Sequence, residues 1–381
     1  MSSSLYDLIL SIYNATIDMY KIIPPIHIAL GTFGNVFNMI IFTRPNLRNN
    51  PCSIYFLASS INNFFFIYLL TALRYISFMF DLNFTQSSNL LCKISILVQY
   101  VPFSLAIWFP VLASIDRFLS SSRTVRLRQL SSVSVARRVI IGIYIVFLLI
   151  HAHMPIFYES AWDNGAFGCG ISSYQYFLFF TFFGPIVACL LPIVLMCIFA
   201  ILIVHNVRST RNRVFQQTGA ARNERLRSED RQMGTMLLFQ ILVTILLSLP
   251  YVSTSLYYAF DLVILDNTLS LLGQIIFRCA QALAMFLFYT NSITGFYIYT
   301  LTSPKFRAEM QRCVRRGYHA MLTKLGLVEF DPLRPRPVPL NNNPLVVVNI
   351  TVKSREEKEN NPTQQTRTVN ILSGIRKTTV Y

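Results

Sequence analysis

The feature of this sequence that most constrains its fold is a series of seven apolar stretches, each long enough to cross a lipid bilayer. Crossing takes about 20 mainly apolar residues, because a helix rises about 1.5 Å per residue and the hydrocarbon core is about 30 Å thick. A membrane β-barrel would need short alternating segments, whereas these stretches are apolar all round. We therefore predict an all-α membrane protein, a seven-transmembrane helix bundle. The stretches are 22–42, 52–80, 94–115, 139–157, 174–205, 233–260 and 268–299.

The composition agrees with a membrane protein and argues against other classes. Of the 381 residues, 53% are hydrophobic and 13% are charged, whereas a soluble domain has roughly 25% charged residues. So apolar a chain is neither disordered nor a disulfide-stapled miniprotein. The formal net charge of +16 is typical of nucleic-acid-binding proteins. The apolar stretches instead favour the lipid bilayer as a partner, and no nucleic acid is expected.

The basic residues determine the orientation that we expect. All but four of the 33 Lys and Arg residues fall in alternate loops and in the C-terminal segment. The positive-inside rule then places the N-terminus outside the cell. We predict an extracellular segment 1–21, a helical domain 22–316 and a disordered cytoplasmic tail 317–381 rich in Pro, Asn and Thr. Two N-x-S/T sequons, at Asn14 and Asn83, lie on the predicted outer side and are expected to be glycosylated.

The order and spacing of several residues are typical of one receptor family. Cys92 opens the third stretch and Asp116-Arg117-Phe118 closes it 24 residues later, about 36 Å of helix. Other matching residues are Gly34-Asn35, Pro192, Pro250, Asn291-Ser292, Tyr299 and Phe306. Over residues 25–316 the chain resembles the rhodopsin-like (class A) G-protein-coupled receptors. The resemblance implies a multi-pass receptor of the plasma membrane that transmits binding of an extracellular ligand to heterotrimeric G proteins.

Two departures mark a divergent member. Gly295-Phe296 stands where the family has Asn-Pro in the seventh helix, so the proline that would bend that helix is missing. In the sixth helix, Leu247-Ser248-Leu249-Pro250 stands where many members have Cys-Trp-x-Pro. The sequence therefore predicts the family's fold while leaving its usual activation residues incomplete.

The resemblance assigns G-protein coupling and an ionic lock to Asp116, Arg117, Asp230 and Tyr299. At rest, Arg117 would pair with Asp116 and Asp230, and in the active state it would meet the C-terminus of Gα. A charged side chain at a membrane boundary is costly unless it pairs or reaches water, so a function is expected. The alternative is that Asp116-Arg117 is only a charged helix end facing water.

Three further assignments concern the cysteines and the segment after the seventh helix. The resemblance implies a disulfide between Cys92 and Cys169, the alternative being two free buried cysteines. Pro304–Val314 carries apolar residues at helical spacing among basic ones, which predicts a short amphipathic eighth helix. Cys313 follows the start of that helix and is a candidate for lipidation.

The ligand site is expected among the outer parts of helices two to seven. Gln99 lies seven residues after Cys92, where aminergic receptors have an aspartate, so a monoamine ligand is disfavoured. A neuropeptide is the leading hypothesis, resting partly on resemblance to peptide receptors. Arg74 and Arg278 either bind a ligand carboxylate or pair with Asp81 and Asp261, and Tyr258 either lines the site or belongs to an interfacial aromatic belt. The candidate residues are Arg74, Gln99, Tyr100, Tyr251, Ser255, Tyr258, Arg278 and Gln281.

Two other classes are considered beside the receptor. A polytopic transporter or channel would show inverted repeats or intramembrane acids, and an intramembrane enzyme would show paired aspartates, a Ser/His dyad or a metal cluster within the stretches. The sequence favours none of these, and we expect no enzyme activity, no cofactor and no metal. Serine and threonine in the C-terminal tail are candidate phosphorylation sites for arrestin.

Overall fold

The computed structural model describes residues 3–80, 82, 88–122, 124–163, 166–214, 221–265 and 267–324, with side chains described at 4–80, 82, 88–122, 124–160, 169–208, 232–265 and 267–324. Within these ranges, seven helices are long and apolar enough to cross a membrane. The predicted seven-helix bundle is thereby confirmed. Four of the spanning helices are α1 (Ser3–Phe42), α2 (Pro51–Phe80), α3 (Asn89–Ser121) and α4 (Val133–His151). Helix α5 comprises Tyr174–Pro185, Ile186–Leu190 and Leu191–Val214; α6 comprises Ala221–Tyr257 and Tyr258–Ile264; α7 is Leu271–Thr302.

Helix α1 is much longer than the predicted stretch. It begins at Ser3 rather than at residue 22 and has 40 residues, which corresponds to about 60 Å or twice the hydrocarbon thickness. The segment 1–21, predicted to be extracellular, is helical from Ser3 onwards. Helix α6 likewise begins at Ala221, ahead of the predicted start at 233. The polar residues that precede each apolar stretch continue the helix beyond the membrane.

Three of the membrane helices contain π-helical turns, at Ile67–Ala72 in α2, Ile186–Leu190 in α5 and Tyr258–Ile264 in α6. A π turn widens the helix and disturbs its ordinary hydrogen-bond ladder. In α5 the turn directly follows Pro185, which has no N–H to donate. The indole Nε1 of Trp108 in α3 donates to the carbonyl oxygen of Val187 at 2.9 Å. This bond gives the disturbed turn a partner and ties α3 to α5.

An antiparallel hairpin lies between α4 and α5. It consists of β1 (Tyr158–Asp163) and β2 (Ala166–Ile171), with Ser160 opposite Cys169. The Cys92–Cys169 disulfide, expected from the resemblance, is present and links β2 to the first turn of α3, with a Cα–Cα distance of 5.6 Å. The end of the bundle that carries this bond is called the disulfide end, and the opposite end of α3 the Arg117 end. The hairpin itself was not predicted.

Helices α1 and α7 approach each other closely at Gly34, which has no side chain. A Cβ atom at Gly34 would lie 3.0 Å from the Cβ of Phe296 in α7. One residue further on, the Asn35 amide donates to the carbonyl oxygens of Gly31 and Ser292, each at 2.9 Å. Phe296 occupies the position where the family has proline, so Gly34 provides the room for that substitution.

An eighth helix, α8 (Pro304–Lys324), follows α7 and confirms the predicted one. Its start is capped by the Ser303 hydroxyl, which accepts from the Phe306 N–H at 3.2 Å. Phe306 is fully buried and its ring centroid lies 5.5 Å from that of Phe42. The helix runs to Lys324, beyond residue 316, where the helical domain was predicted to end. The rest of the predicted tail lies outside the described residues.

The close approach of α1 and α7 yields a test of packing. Gly34→Val is expected to lower the unfolding temperature of the detergent-solubilised protein, because two methyl groups would be added where even a Cβ is tight. Overpacking typically costs about 1–3 kcal/mol, or roughly 2–4 °C per kcal/mol. Gly142→Val in α4 is the matched control, since a Cβ there meets nothing within 4 Å. Equal losses in a thermal-shift assay would contradict the close-packing argument.

Candidate functional site

The Arg117 end of α3 holds a buried ion pair. The Arg117 guanidinium donates to Oδ2 of Asp116 through Nη2 at 2.7 Å and through Nε at 3.2 Å. Each of the two side chains is only 4% exposed. This burial contradicts the alternative of a charged helix end facing water. Separating the two groups would leave a buried charge without its partner, which is strongly unfavourable.

Two neighbouring segments hold the pair in place. Asp116 Oδ1 accepts from the Ser131 hydroxyl at 2.7 Å, in the connection before α4. Asn50 caps the start of α2, where its Oδ1 accepts from the Cys52 N–H at 3.0 Å, and it also accepts from Arg117 Nη2 at 3.3 Å. The ion pair therefore joins three segments of the chain at one point.

The other two residues assigned to this region are Asp230 and Tyr299. The side chain of Asp230 lies outside the described residues, although its backbone is part of α6. Tyr299 is buried in α7, and its ring packs against Phe56 at 4.8 Å, Phe42 at 5.6 Å and Phe306 at 5.9 Å between centroids. Tyr299 thus lies in an aromatic cluster that joins α1, α2, α7 and α8, a setting that the sequence did not reveal.

In the middle of the bundle, α6 and α7 are joined by a buried hydrogen bond. Ser248, which stands where many family members have tryptophan, is fully buried and accepts from the amide of Asn291 at 3.0 Å. The same amide nitrogen also donates to the Phe288 carbonyl oxygen at 3.0 Å. A small serine thus allows a direct polar contact between the two helices. The sequence showed the serine, but not its partner.

At the disulfide end, Arg74 of α2 faces a group of tyrosines. Its side chain is exposed to solvent, and several tyrosine hydroxyls lie near it. Its Nη1 lies 3.4 Å from the Tyr289 hydroxyl. The ring around Arg74, called here the tyrosine ring, comprises Tyr20, Tyr100, Tyr158, Tyr251 and Tyr289, whose hydroxyls all interact electrostatically with Arg74 or with one another.

Packed aromatic side chains hold the tyrosine ring in place. Tyr289 packs edge-on against Phe66 at 5.2 Å, and Tyr251 lies 4.9 Å from Phe288. Phe103 of α3 completes this layer, 4.9 Å from Phe288. Rings from α2, α3, α6 and α7 thus meet beneath Arg74. Aromatic pairs at these distances stabilise one arrangement of the rings.

The predicted ligand residues fall into two groups. Arg74, Tyr100 and Tyr251 converge, with Ser255 one helical turn after Tyr251 on α6, and Gln99 is buried one turn from Phe103 on the same face of α3. The remaining ones are Tyr258, Arg278 and Gln281, on the parts of α6 and α7 towards the disulfide end. Tyr258 stacks on Phe277 at 6.3 Å. Asp261, a suggested partner of Arg278, accepts instead from the Asn267 amide at 2.8 Å.

Sequence reasoning missed three members of the tyrosine ring. Tyr20 lies within the predicted extracellular segment, Tyr158 belongs to the unpredicted hairpin, and Tyr289 lies two residues before Asn291. Tyr289 could have been found, because it is one helical turn from Ser292 on a helix that carries family residues. Tyr20 and Tyr158 carry no such signal in the sequence.

The contact between α8 and the α1–α2 connection involves the candidate lipidation residue. Cys313 is half-buried, and its Sγ accepts from Arg44 Nε at 3.1 Å. One turn earlier, the buried Glu309 accepts from the Asn46 amide at 2.6 Å. These contacts hold α8 against the end of α1.

Seven membrane helices, a disulfide linking a hairpin to α3 and a buried Asp-Arg pair at the far end of α3 define a seven-helix membrane receptor. The family described as 7 transmembrane receptor (rhodopsin family) matches residues 34–299. The chain belongs to this family of G-protein-coupled receptors, which bind extracellular ligands and signal through G proteins. It is thus assigned to a receptor family rather than to transporters, channels or enzymes. A comparison with curated proteins gave no match.

The Ser248–Asn291 bond can be tested by removing its hydroxyl. Ser248→Ala is expected to lower the unfolding temperature, since interhelical hydrogen bonds in membrane proteins contribute about 0.6 kcal/mol on average and up to about 1.7. Ser253→Ala is the matched control: Ser253 is an exposed residue of the same helix whose hydroxyl bonds only to the Leu249 carbonyl oxygen. A thermal-shift assay in which the two variants lose equal stability would refute a role for the bond between helices.

Proposed function

We propose that this receptor lies in the plasma membrane with its N-terminus outside and responds to a peptide, of the neuropeptide class, that binds at the disulfide end. The observation that carries the proposal is the buried Asp116–Arg117 pair at the opposite end, which lies next to the most basic connections of the chain. With that end in the cytoplasm, the basic residues obey the positive-inside rule. The ligand then enters from outside and the G protein docks at Arg117.

Activation is a shift between two packings of the helices. In the resting state Arg117 is held by Asp116, Asn50 and, in our proposal, by Asp230 of α6. In the active state α6 moves away and Arg117 turns towards the Gα C-terminus. A partly buried pair can bias such an equilibrium by a few kcal/mol.

Several features support an extracellular peptide. Asp7 and Asp18 lie on one exposed face of the extended α1, together with the sequon residue Asn14. Acidic side chains near a binding site raise the local concentration of a basic peptide, although salt weakens this effect. Glycosylation at Asn14 is compatible with its exposure, and Asn83 lies outside the described residues. The tyrosine ring offers a peptide both aromatic surface and hydroxyl groups.

Two assignments on the cytoplasmic side complete the proposal. Cys313 is the candidate for palmitoylation, and because Arg44 contacts its sulfur, acylation would have to displace that arginine. Arrestin would bind the phosphorylated tail, whose serines and threonines lie outside the described residues. Both would act at the membrane surface on which α8 presents its basic residues.

The decisive experiment is a ligand screen. Cells expressing the receptor are tested against a neuropeptide library with cAMP, calcium and β-arrestin readouts. A peptide that activates wild type is expected to lose G-protein signalling in Arg117→Ala at equal surface expression. Arg128→Ala, which changes an exposed arginine of the connection that follows α3, is expected to retain it. Absence of any response, including constitutive signalling, together with a solute flux would overturn the receptor proposal.

The lock is tested without a ligand. Asp116→Asn and Asp230→Asn are each expected to raise basal signalling several-fold at equal surface expression, because each removes a negative charge that holds Arg117 at rest. The control is Asp261→Asn, which removes an acid at the disulfide end. If Asp230→Asn leaves basal signalling unchanged, Asp230 has no part in the lock, and if Asp116→Asn does so, the lock itself is excluded.

A further inference from the structure

Arg74 is a cation within a membrane-spanning helix. Among the described residues, no carboxylate lies within 4.0 Å of its guanidinium, which donates a hydrogen bond to the Tyr289 hydroxyl at 3.4 Å. The suggested partner Asp81 lies outside those residues. A charged side chain at this depth is costly unless it pairs, so an intramembrane arginine of this kind indicates a functional site.

The groups around Arg74 are suited to hold an anion beside it. The tyrosine ring brings phenol hydroxyls, each able to donate one hydrogen bond, from α1, α3, β1, α6 and α7 into the neighbourhood of Arg74. Arginine offers parallel N–H groups that match the two oxygens of a carboxylate. The guanidinium and the phenol hydroxyls together therefore supply the positive charge and the hydrogen-bond donors that bind an anion.

The number of charges indicates which anion fits. Arg74 brings one positive charge, and the other arginine assigned to the site, Arg278, lies on the exposed outer part of α7. A single positive charge matches a monoanion such as a carboxylate, whereas a phosphate dianion would keep one negative charge unbalanced. The aromatic layer of Phe66, Phe103 and Phe288 gives the site an apolar side, with the ring centroids of Phe66 and Phe288 lying 6.3 Å and 4.9 Å from that of Phe103.

We propose that the ligand carries a carboxylate that binds Arg74 inside the tyrosine ring, next to an aromatic or aliphatic group that packs on the layer beneath. The inference rests on the proposed function, since it places the ligand at the disulfide end. A peptide supplies such a carboxylate from its C-terminus or from an Asp or Glu side chain. The first residues to contact it are Arg74 and Tyr289, which already lie side by side.

The binding chemistry is tested without knowledge of the natural ligand and without a signalling assay. The purified receptor is heated with 10 mM N-acetyl-phenylalanine or with its neutral amide, N-acetyl-phenylalaninamide. We expect the acid to raise the unfolding temperature by about 3 °C at roughly ten times its Kd, and the amide to have little effect. Arg74→Gln is expected to abolish the difference between the two probes.

A matched variant controls for loss of charge alone. Lys21→Gln removes a positive charge from an exposed residue next to Tyr20 in α1 and is expected to preserve the preference for the acid. The unfolding temperature of each variant without probe shows whether it is folded. Equal shifts by acid and amide, no shift with either, or a preference that persists in Arg74→Gln would each overturn the proposal.

A second arm identifies the source of the carboxylate. Each peptide that activates the receptor is compared as free acid and as C-terminal amide, and with Asp or Glu replaced by Asn or Gln. Loss of the contacting carboxylate is expected to weaken activation at least about tenfold in wild type and to have little effect in Arg74→Gln. A peptide that activates equally in all forms contradicts the carboxylate inference while leaving the receptor function intact. If no peptide activates the receptor but the acid probe alone stabilises it against heat, the carboxylate inference is supported and the proposed peptide function is contradicted.

Discussion

A lipid bilayer offers no hydrogen-bond partners, and the architecture of this receptor follows from that constraint. Helices satisfy most of their backbone internally, and at two places where the hydrogen-bond ladder is disturbed or ends, a side chain supplies a partner. Trp108 donates to the carbonyl oxygen of Val187 within the π turn of α5, and Ser303 caps α8 as the chain leaves α7. The same rule governs side chains: Asn35 and Asn291 each find acceptors within the bundle.

Charged side chains are subject to the same constraint, and leaving a charge unpaired costs more free energy than leaving a neutral polar group unpaired. At the Arg117 end, the cation has its counter-ion on the preceding residue and further acceptors on a neighbouring segment, so the site is closed at rest. At the disulfide end, Arg74 is surrounded by neutral hydroxyls. In the proposed function, Arg117 is released from its partner on activation and Arg74 receives a partner from the ligand. This asymmetry would link binding at one end of the bundle to exposure of a charge at the other.

Apolar patterning was sufficient to predict the seven membrane helices and the helix that follows them, whereas the disulfide was implied by the family resemblance. The length of α1 and the hairpin escaped prediction, because the extended helix is polar on one face and the hairpin lacks a hydrophobic repeat. Three residues of the candidate site could be named from the sequence, because they lie near the predicted outer ends of their helices: Arg74, Tyr100 and Tyr251. Their partners Tyr20, Tyr158 and Tyr289 could not, since a pattern along one helix shows which face is buried and not which distant residue meets it.

The two departures in the family motifs have a common consequence in α7. Without proline, α7 is an uninterrupted α-helix of 32 residues, and its contacts follow one another along a continuous ladder. Tyr289 contacts Arg74, Asn291 bonds to Ser248 of α6, and Phe296 packs on Gly34 of α1. A proline-bent helix can absorb a displacement locally at its bend. A straight helix has no such bend, so in the proposed function a ligand that moves Tyr289 would act on α6 through Asn291 and on the aromatic cluster around Tyr299, next to the proposed G-protein site.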